Sequence, residues 1–323
     1  MNNRVSRKRK WNILVTPKEA CELIHSIPDE YSSGIDFKLT FGRVQDPSRI
    51  AFLLRECDGV VLDIERITKS IISACPGLKV ISRFGEGYDA IDLDAVKAHN
   101  VRLARTRGVA SAAVARHTIA LIMALMHNVT ENDKSLKSGA WRRKPNISEE
   151  TVTIGIFGFG KIGSEVARLA KCLGFKVLVC GRSVPEDAGF GTARDLDDLV
   201  SRCDLLSLHV PLSGDTKDLI SKKMLKRLKG KFLVNTARGG IVDEKALLVS
   251  LKGNGIAGYA TDVFAKEPVK GISRMIAKHP KVVCSAHLAS FNRMTAEQMT
   301  ERSVANAFNC LEGRDDLVAA YVV

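Results

Sequence analysis

The chain has 323 residues, enough for two domains with separate cores. It contains neither the roughly 18 consecutive apolar residues of a membrane span nor a secretory signal, so we expect a cytoplasmic protein without membrane contact. A net charge of +13 is compatible with binding to nucleic acid or to small anionic ligands. The basic residues form a continuous run only at Arg7–Lys10, which we interpret as a solvated tail, so binding to nucleic acid is not expected.

The first part of the chain, from Asn12 to Leu103, alternates short apolar strands with helical segments, which is typical of a βαβ parallel sheet. The predicted strands are Trp11–Thr16, Gly59–Asp63, Leu78–Ser82 and Val101–Ala104, and the predicted helices are Lys18–Ser26, Pro47–Glu56, Thr68–Ala74 and Asp92–Ala98.

A long helical pattern, Ser111–Asn128, follows, and we interpret it as the bridge into a second domain, with a further helix at Asn132–Gly139. The last helix, Thr295–Glu312, is predicted to return to the first domain. The prediction is therefore a discontinuous first domain, residues 1–104 plus 291–323, and a second domain of residues 105–290, with a cleft between them.

The second domain contains Thr151–Gly163, an apolar strand that runs into the pattern G-x-G-x-x-G. Gly158 permits a tight turn, Gly160 allows the backbone to approach a pyrophosphate, and Gly163 lets the next helix pack closely on the strand. That helix would direct the N–H groups of Lys161 and Ile162 at the phosphates. The alternative is a glycine-rich turn without a ligand.

The strand–helix alternation then continues, which predicts a doubly wound parallel sheet with helices on both faces. Strands are predicted at Thr151–Phe157, Lys176–Cys180, Asp204–His209, Lys231–Asn235, Ile256–Thr261 and Lys281–Ser285, and helices at Lys161–Leu173, Leu196–Arg202, Ser221–Leu228 and Glu244–Leu251.

Three chemically useful side chains follow consecutive strands of this domain, where ligands of such sheets bind. Arg238 lies on a glycine-flanked loop, where its planar guanidinium suits an anion. Glu267 and His287 follow the next two strands, and a histidine beside a carboxylate can exchange a proton at neutral pH. A single histidine at a strand end is more often structural, but the three together favour catalysis. The eight cysteines lie singly, so no metal site and no disulfide framework is predicted.

At these residues the chain resembles the D-2-hydroxyacid dehydrogenase family, which includes D-3-phosphoglycerate dehydrogenases and glyoxylate/hydroxypyruvate reductases. The resemblance extends from about Ile13 to Gly313. The segments that carry it are SRFGEGYDAIDLDA (82–95), GIFGFGKIG (155–163), LLSLHVPL (205–212), VNTARGGIVDEKAL (234–247), ATDVFAKEP (260–268) and SAHLAS (285–290).

The resemblance implies that Arg238, Glu267 and His287 are the catalytic residues of an NAD(P)-dependent enzyme. His287 would exchange a proton with the C2 oxygen of a 2-oxo or 2-hydroxy acid, and Glu267 would orient it. Arg238 would bind the substrate carboxylate and the C2 oxygen. Substrate-binding residues would also come from the Gly85–Gly87 loop (Gly85, Glu86 and Gly87), through its backbone N–H groups.

The expected cofactor contacts lie along the carboxyl edge of the second sheet, and the resemblance implies that one of them, Asp262, meets the nicotinamide amide. The full set is Gly158, Gly160, Lys161, Ile162, Gly163, Arg182, Ser183, His209, Pro211, Thr216, Thr236, Ala237, Asp262, His287 and Ala289.

The end of the second cofactor-domain strand distinguishes the two nicotinamide cofactors. NAD-using members of the family have an acidic residue there for the ribose diol, whereas this chain reads Cys180-Gly181-Arg182-Ser183. An arginine and a hydroxyl suit a 2′-phosphate, so we expect NADP(H) in preference to NAD(H), which stays possible. The alternative is that Arg182 is solvated and that Glu186 or Asp187 approaches the ribose.

Two departures from the family pattern concern charge. Glu86 stands where the substrate loop usually carries a small apolar residue, and it would repel a carboxylate unless it is turned away or paired with a cation; Arg83 is close in sequence. Arg116 stands where many relatives have a glutamate, and the sequence offers no explanation for it.

The expected substrate is a simple 2-oxo acid such as glyoxylate or hydroxypyruvate. Phosphoglycerate is the alternative, with Arg66, Arg83 and Arg107 as candidate phosphate ligands. A different class, a dinucleotide-dependent corepressor, shares the fold. The resemblance also implies a homodimer through a dimerisation arm at residues 111–150.

Overall fold

The computed structural model describes residues 10–185, 187–318 and 320–322, so most of the basic run Arg7–Lys10 and the alternative ribose contact Glu186 lie outside the described residues. The chain divides into two compact units. Unit 1 comprises Met1–Ala110 and Phe291–Val323, and unit 2 comprises Ser111–Ser290, so the first division lies a few residues beyond the predicted boundary at residue 104.

The elements of the described chain alternate between strands and helices over most of its length. They are β1 (Trp11–Val15), α1 (Lys18–Glu22), α2 (Asp29–Ser32), β2 (Ile35–Leu39), α3 (Pro47–Leu54), β3 (Gly59–Leu62), α4 (Lys69–Ser73), β4 (Val80–Arg83), α5 (Leu93–Ala98), β5 (Arg102–Arg105), α6 (Ser111–Met126), α7 (Val129–Lys137), β6 (Thr153–Phe157), α8 (Lys161–Cys172), β7 (Lys176–Cys180), β8 (Gly191–Thr192), α9 (Leu196–Arg202), β9 (Leu205–Leu208), α10 (Lys222–Arg227), β10 (Phe232–Asn235), α11 (Glu244–Lys252), β11 (Gly258–Thr261), α12 (Gly271–Ala277), β12 (Val282–Cys284) and α13 (Arg293–Glu312).

Unit 1 is built on a five-stranded parallel sheet with the strand order β2-β1-β3-β4-β5. The long helix α13 packs on β3, β4 and β5 of this sheet. Residues 320–322 pair antiparallel with the outer edge of β5, where the N–H of Val322 donates to the carbonyl of Leu103 at 2.8 Å. One face of the sheet buries an aliphatic cluster that includes Leu14, Val60, Ile81 and Leu103, which are fully buried.

Unit 2 is built on a seven-stranded parallel sheet with the strand order β12-β11-β10-β9-β6-β7-β8. Neighbouring residues of one strand face opposite sides, so that Leu205 packs in one core cluster with α6 and α8, and Leu206 in the other with α9 to α11. Full burial of one such aliphatic side chain contributes about 1.5–3 kcal/mol. Both faces are therefore covered, and the two parallel α/β units confirm the predicted fold class.

Four elements were not predicted. β2 (Ile35-Asp36-Phe37-Lys38-Leu39) alternates apolar and polar residues, which is typical of a half-buried strand, so the sequence analysis missed a signal that was present. β8 has only two residues and gives no strand pattern. α12 begins at Gly271, three residues after Pro268, and a proline and a glycine this close together in the sequence indicate a loop. α2 is a single turn. The first predicted helix is also shorter than expected, because α1 ends at Glu22 and a 3-10 turn continues the chain.

Among the described residues no single helix is long and apolar enough to cross a membrane; α6 and α7, which meet at a 58° bend, reach that length and composition only as a pair.

Candidate active site

The three glycines of the β6–α8 turn differ in the space that surrounds them. Gly158 has a φ of +100°, and a Cβ there would collide with the carbonyl of His209. A Cβ on Gly163 would collide with the carbonyl oxygen of Gly158, so this glycine sets the close approach of α8 to the turn. A Cβ on Gly160 would meet no atom within 4 Å, which leaves the backbone approachable from that side.

The amino terminus of α8 fits an anionic ligand. Gly160 is its N-cap and provides no side-chain cap to the first N–H groups, which belong to the turn that contains Lys161 and Ile162. The positive end of the helix dipole therefore points out of the turn beside the open side of Gly160. The residues present fit the pyrophosphate of a dinucleotide.

The end of β7 presents the two residues predicted to choose the cofactor. Arg182 and Ser183 are both exposed, and the Arg182 guanidinium forms no hydrogen bond or ion pair with another described residue. Gly181 brings this turn against the glycine loop, since a Cβ there would lie 2.9 Å from the Cβ of Phe159. Asp187 is also exposed.

His209 follows β9 and is partly buried in unit 2. Its Nε2 lies 2.8 Å from the Oγ of Ser207, and burial lowers the pKa of its imidazole to about 4, so the ring is neutral at physiological pH. The loop beyond it is closed by Thr216, whose hydroxyl donates to the carbonyl of Pro211 at 2.6 Å and accepts from the N–H of Ser213 at 2.7 Å.

The loop after β10 carries Arg238, and the side chain of Asn235 at the end of β10 fixes its backbone. The Asn235 side chain accepts from the N–H of Ala237 at 3.0 Å and donates to the carbonyl of Arg238 at 2.9 Å. The Thr236 hydroxyl lies 2.8 Å from that of Thr118 on α6.

Gly239 then brings the Arg238 loop against the loop after β11. A Cβ on Gly239 would collide with the backbone between Phe264 and Ala265. Arg238 and Glu267 thus stand on loops in direct contact.

Glu267 and His287 form a pair at the carboxyl edge of the sheet. Oε2 of Glu267 lies 2.7 Å from Nδ1 of His287, and Oε1 accepts from the N–H of Phe264 at 2.9 Å. Because a carboxylate only accepts, it places the proton on Nδ1 and leaves Nε2 as the second functional atom of the neutral ring. The pair can therefore orient an imidazole for proton exchange.

Asp262 holds the His287 loop. It is 1% exposed, and its carboxylate accepts from the N–H groups of Leu288 and Ala289, each at 2.9 Å, and from the Ser285 hydroxyl at 2.5 Å. Its carbonyl accepts from the N–H of His287, whose φ of +53° is unusual for a residue other than glycine. Three donors leave about one lone-pair position on the carboxylate, so the predicted contact with the nicotinamide amide stays a prediction.

The sequence analysis missed His117 and Ser285. Nε2 of His117 on α6 lies 2.7 Å from the Ser285 hydroxyl and 3.6 Å from a carboxylate oxygen of Asp262, so these side chains complete one network. The available signal was that His117 and Thr118 follow Arg116 as a polar run within a mostly apolar helical pattern.

In unit 1, the Gly85–Gly87 loop follows β4 and is shaped by Arg83. This side chain is 4% exposed and donates to the carbonyls of Gly87 at 2.7 Å and Leu62 at 2.6 Å. Gly85 has a φ of +141°. The Arg83 guanidinium thus binds backbone carbonyls of the loop and of β3.

Glu86 is paired with a different cation from the one that lies close in sequence. Its Oε1 accepts from the N–H of Gly108, and its Oε2 lies 4.0 Å from Nη1 of Arg105. The carboxylate is therefore turned to the end of β5.

The other arginines that the sequence singled out are exposed. Arg66 and Arg107 lie in unit 1, and Arg116 lies on α6. The hydrogen bond from Arg168 is the main cause of the lowered pKa of Glu165, and the charge of Arg116 adds to it. The positive charge of Arg116 thus favours the ionised carboxylate of Glu165 on α8. Within the described ranges no group of three or more His, Cys, Asp or Glu side chains could hold a metal ion.

A parallel sheet with this glycine turn and an imidazole–carboxylate pair defines a dinucleotide-binding oxidoreductase domain. Residues 119–289 match the family model for the D-isomer specific 2-hydroxyacid dehydrogenase, NAD binding domain. The chain belongs to this family, which confirms the resemblance and indicates a nicotinamide cofactor.

Curated relatives and solved structures agree with this assignment. The chain is 34% identical over 284 residues to a glyoxylate reductase of Thermofilum pendens, with 83% of each protein covered. It is 34% identical over 278 residues to the chloroplastic D-3-phosphoglycerate dehydrogenase 2 of Arabidopsis thaliana, where the match covers 82% of this chain and 44% of the relative, so the chain spans less than half of that protein. A crystal structure of a Thermus thermophilus protein, 29% identical, covers 97% of this chain and 100% of its own with a TM-score of 0.85.

Proposed function

We propose that this protein is a cytoplasmic, NADPH-linked reductase of a small 2-oxo acid such as glyoxylate or hydroxypyruvate, and that it works as a homodimer. The observation that carries the proposal is the Glu267–His287 pair, at 2.7 Å, on the same sheet edge as an open glycine turn. Membership of the family and the similarity to a glyoxylate reductase over most of both chains support it.

His287 is the proton-exchanging residue in this proposal. Glu267 accepts from the N–H of Nδ1 and keeps His287 protonated for reduction, so the imidazolium gives its Nε2 proton to the C2 oxygen; during oxidation the neutral ring takes that proton back at Nε2. The N–H of Phe264 fixes the second carboxylate oxygen at 2.9 Å, which keeps the imidazole in one orientation. A nicotinamide dinucleotide held at the glycine turn of Gly158, Gly160 and Gly163 would supply the hydride for C2.

Arg238 binds the substrate carboxylate and the C2 oxygen. Its planar fork can offer two parallel hydrogen bonds, and its charge balances the negative charge that develops on the C2 oxygen. The backbone N–H groups of the Gly85–Gly87 loop bind the carboxylate as well. The two hydrogen bonds of Arg238 restrict the substrate to the geometry in which a hydride can reach C2.

Arg182 and Ser183 are the residues that favour NADPH. Both are exposed at the end of β7, and the four residues Cys180–Ser183 include no carboxylate to repel a 2′-phosphate. The exposed guanidinium has no partner among the described residues that would have to be displaced.

Of the three candidate phosphate ligands, Arg83 gives no support to phosphohydroxypyruvate as the substrate, whereas Arg66 and Arg107 are exposed. Arg83 is buried and donates to two backbone carbonyls, so it is committed to the fold.

The homodimer would form through the segment from α6 to residue 150. Leu136 on α7 is 59% exposed and Trp141 is 81% exposed, so both apolar side chains are accessible to a second copy of the chain. Light scattering tests this directly: a dimeric mass is expected, and a monomeric mass would contradict it.

The activity is tested by the loss of the near-ultraviolet absorbance of NADPH or NADH with glyoxylate, hydroxypyruvate, pyruvate, longer 2-oxo acids and phosphohydroxypyruvate. We expect NADPH-dependent turnover of one small 2-oxo acid, abolished in His287→Ala. The matched control is His279→Ala, because His279 precedes the opposite, amino end of β12. Dinucleotide binding without turnover of any compound would refute the reductase and favour a binding function.

A further inference from the structure

Glu86 introduces a negative charge into a loop proposed to bind a carboxylate. Its side chain is 30% exposed, and it follows the left-handed Gly85 directly. An uncompensated carboxylate close to a bound anion weakens binding on the order of tenfold at the effective dielectric of a protein surface. The loop therefore needs a cation that is held near Glu86.

Arg105 provides that cation at the end of β5. Its Nη1 donates to the Glu86 carbonyl at 3.2 Å and lies 4.0 Å from Oε2 of the same residue, so it binds both the backbone and the charge of the loop. The guanidinium also lies over the ring of Tyr88, 5.3 Å from the centroid, one residue beyond the loop. Tyr88 and Glu86 thus flank a single cation.

The backbone of Arg105 is fixed on both sides. Its N–H donates to the carbonyl of Ala320 at 3.0 Å, and its carbonyl accepts from the Asn306 side chain of α13 at 3.2 Å. The arginine side chain is 24% exposed, so water screens its charge only in part. The guanidinium charge of Arg105 therefore sits on a partly buried side chain with a fixed backbone, in contrast to a flexible surface arginine.

We propose that Arg105 is a positioning and specificity-determining residue: it holds the Gly85–Gly87 loop through the Glu86 carbonyl and compensates the Glu86 charge, which makes the loop acceptable to an anionic substrate. The proposal rests on the proposed function, in which this loop binds the carboxylate of a 2-oxo acid.

Three variants and one control test the pair. Arg105→Gln removes the compensating charge, Glu86→Gln removes the charge that it compensates, and the double variant removes both. Arg102→Gln is the matched control, because Arg102 lies on the same strand but donates to Asp315 and to the carbonyl of Cys310. The measurements are KM and kcat for the preferred 2-oxo acid at low and high salt, and the Kd of NADPH.

We expect Arg105→Gln to raise KM about tenfold, with a smaller effect at high salt. Glu86→Gln should lower KM. The double variant should recover most of the loss, since the amide oxygen of the glutamine that replaces Glu86 can still accept from the N–H of Gly108. The Kd of NADPH should stay constant in all four proteins.

Opposite signs for the two single variants distinguish charge compensation from a purely structural role. A rise of KM in Glu86→Gln, or a double variant no better than Arg105→Gln, would overturn the proposal, and Glu86→Gln decides it even if Arg105→Gln does not fold. A wild-type protein that reduces no 2-oxo acid would overturn the proposed function first, whereas an active wild type with unresponsive variants would overturn only the role of Arg105.

Discussion

Glu267→Gln tests whether Glu267 orients the His287 imidazole or only fills the space beside it. Glutamine has nearly the same shape, but one of its two terminal atoms is an amide nitrogen that only donates. If its oxygen accepts from Phe264, its NH₂ faces Nδ1 and forces the proton of the neutral ring onto Nε2. If the amide is reversed, two donors face each other at the Phe264 N–H, where the distance is now 2.9 Å.

The expected loss follows from the contact that is replaced. A hydrogen bond to a charged group contributes about 1.5–3 kcal/mol, and about 1.4 kcal/mol corresponds to a factor of ten. We therefore expect kcat to fall between about 10-fold and 100-fold, with an unchanged Kd for NADPH, because the dinucleotide loop is not altered. Steady-state turnover and fluorescence titration of NADPH measure the two quantities.

Glu244→Gln is the matched control. Glu244 also binds the loop after β11, with its oxygens accepting from the N–H of Ala265 at 2.9 Å and the Ser273 hydroxyl at 2.6 Å, but it has no hydrogen bond to His287. A glutamine can keep both bonds, since the serine hydroxyl also accepts. Equal losses of kcat in the two variants, or a Glu267→Gln enzyme within about twofold of wild type, would refute the assignment of Glu267 as the residue that orients His287.

Three further outcomes are expected. Gly160→Ala should keep the melting temperature yet weaken NADPH binding at least about tenfold, whereas Gly163→Ala should destabilise the fold itself, which calorimetry would distinguish. Because the pKa of His209 is lowered to about 4 in the folded protein, its imidazole takes up a proton in the unfolded chain at a higher pH than in the folded chain. The free energy of unfolding should therefore fall by up to about 3 kcal/mol as the pH drops from about 6.5 toward 4. Urea unfolding of His209→Gln should show a flatter pH dependence, and an unchanged slope would contradict the burial effect. Arg182→Asp should reverse the preference from NADPH to NADH, and a variant that still prefers NADPH would rule out Arg182 as the selective residue.

The parts of the fold that could be predicted are those with a local signal. Parallel strands buried on both faces read as apolar runs, so β6 and β7 were recognised almost to the residue. The edge strand β2 was missed although Asp36 and Lys38 alternate with apolar residues, because only continuous apolar runs were taken as strands, and α12 was hidden by Gly271. Edge elements depend on tertiary pairing, which local patterns do not encode.

The same limit applies to the candidate site. Arg238, Glu267 and His287 could be proposed because the carboxyl ends of parallel strands meet on one edge. The partner of Glu86 could not, since Arg83 is closer in sequence but its guanidinium is bound to backbone carbonyls. Arg105 becomes the partner only because β4 and β5 are neighbours in the sheet. The roles of His117 and Ser285 likewise depend on how α6 packs.

The glycine turn and the end of β7 differ in how freely they can change during evolution. A side chain at Gly158 or Gly163 collides with main-chain carbonyls, so the turn that suits a dinucleotide can hardly be altered without loss of the domain. Arg182 and Ser183 are exposed, and substitutions at such positions usually change stability by less than about 0.5 kcal/mol. If Arg182 and Ser183 select the cofactor as proposed, a lineage could exchange one nicotinamide cofactor for the other by drift at two surface positions, whereas the glycine turn tolerates little change.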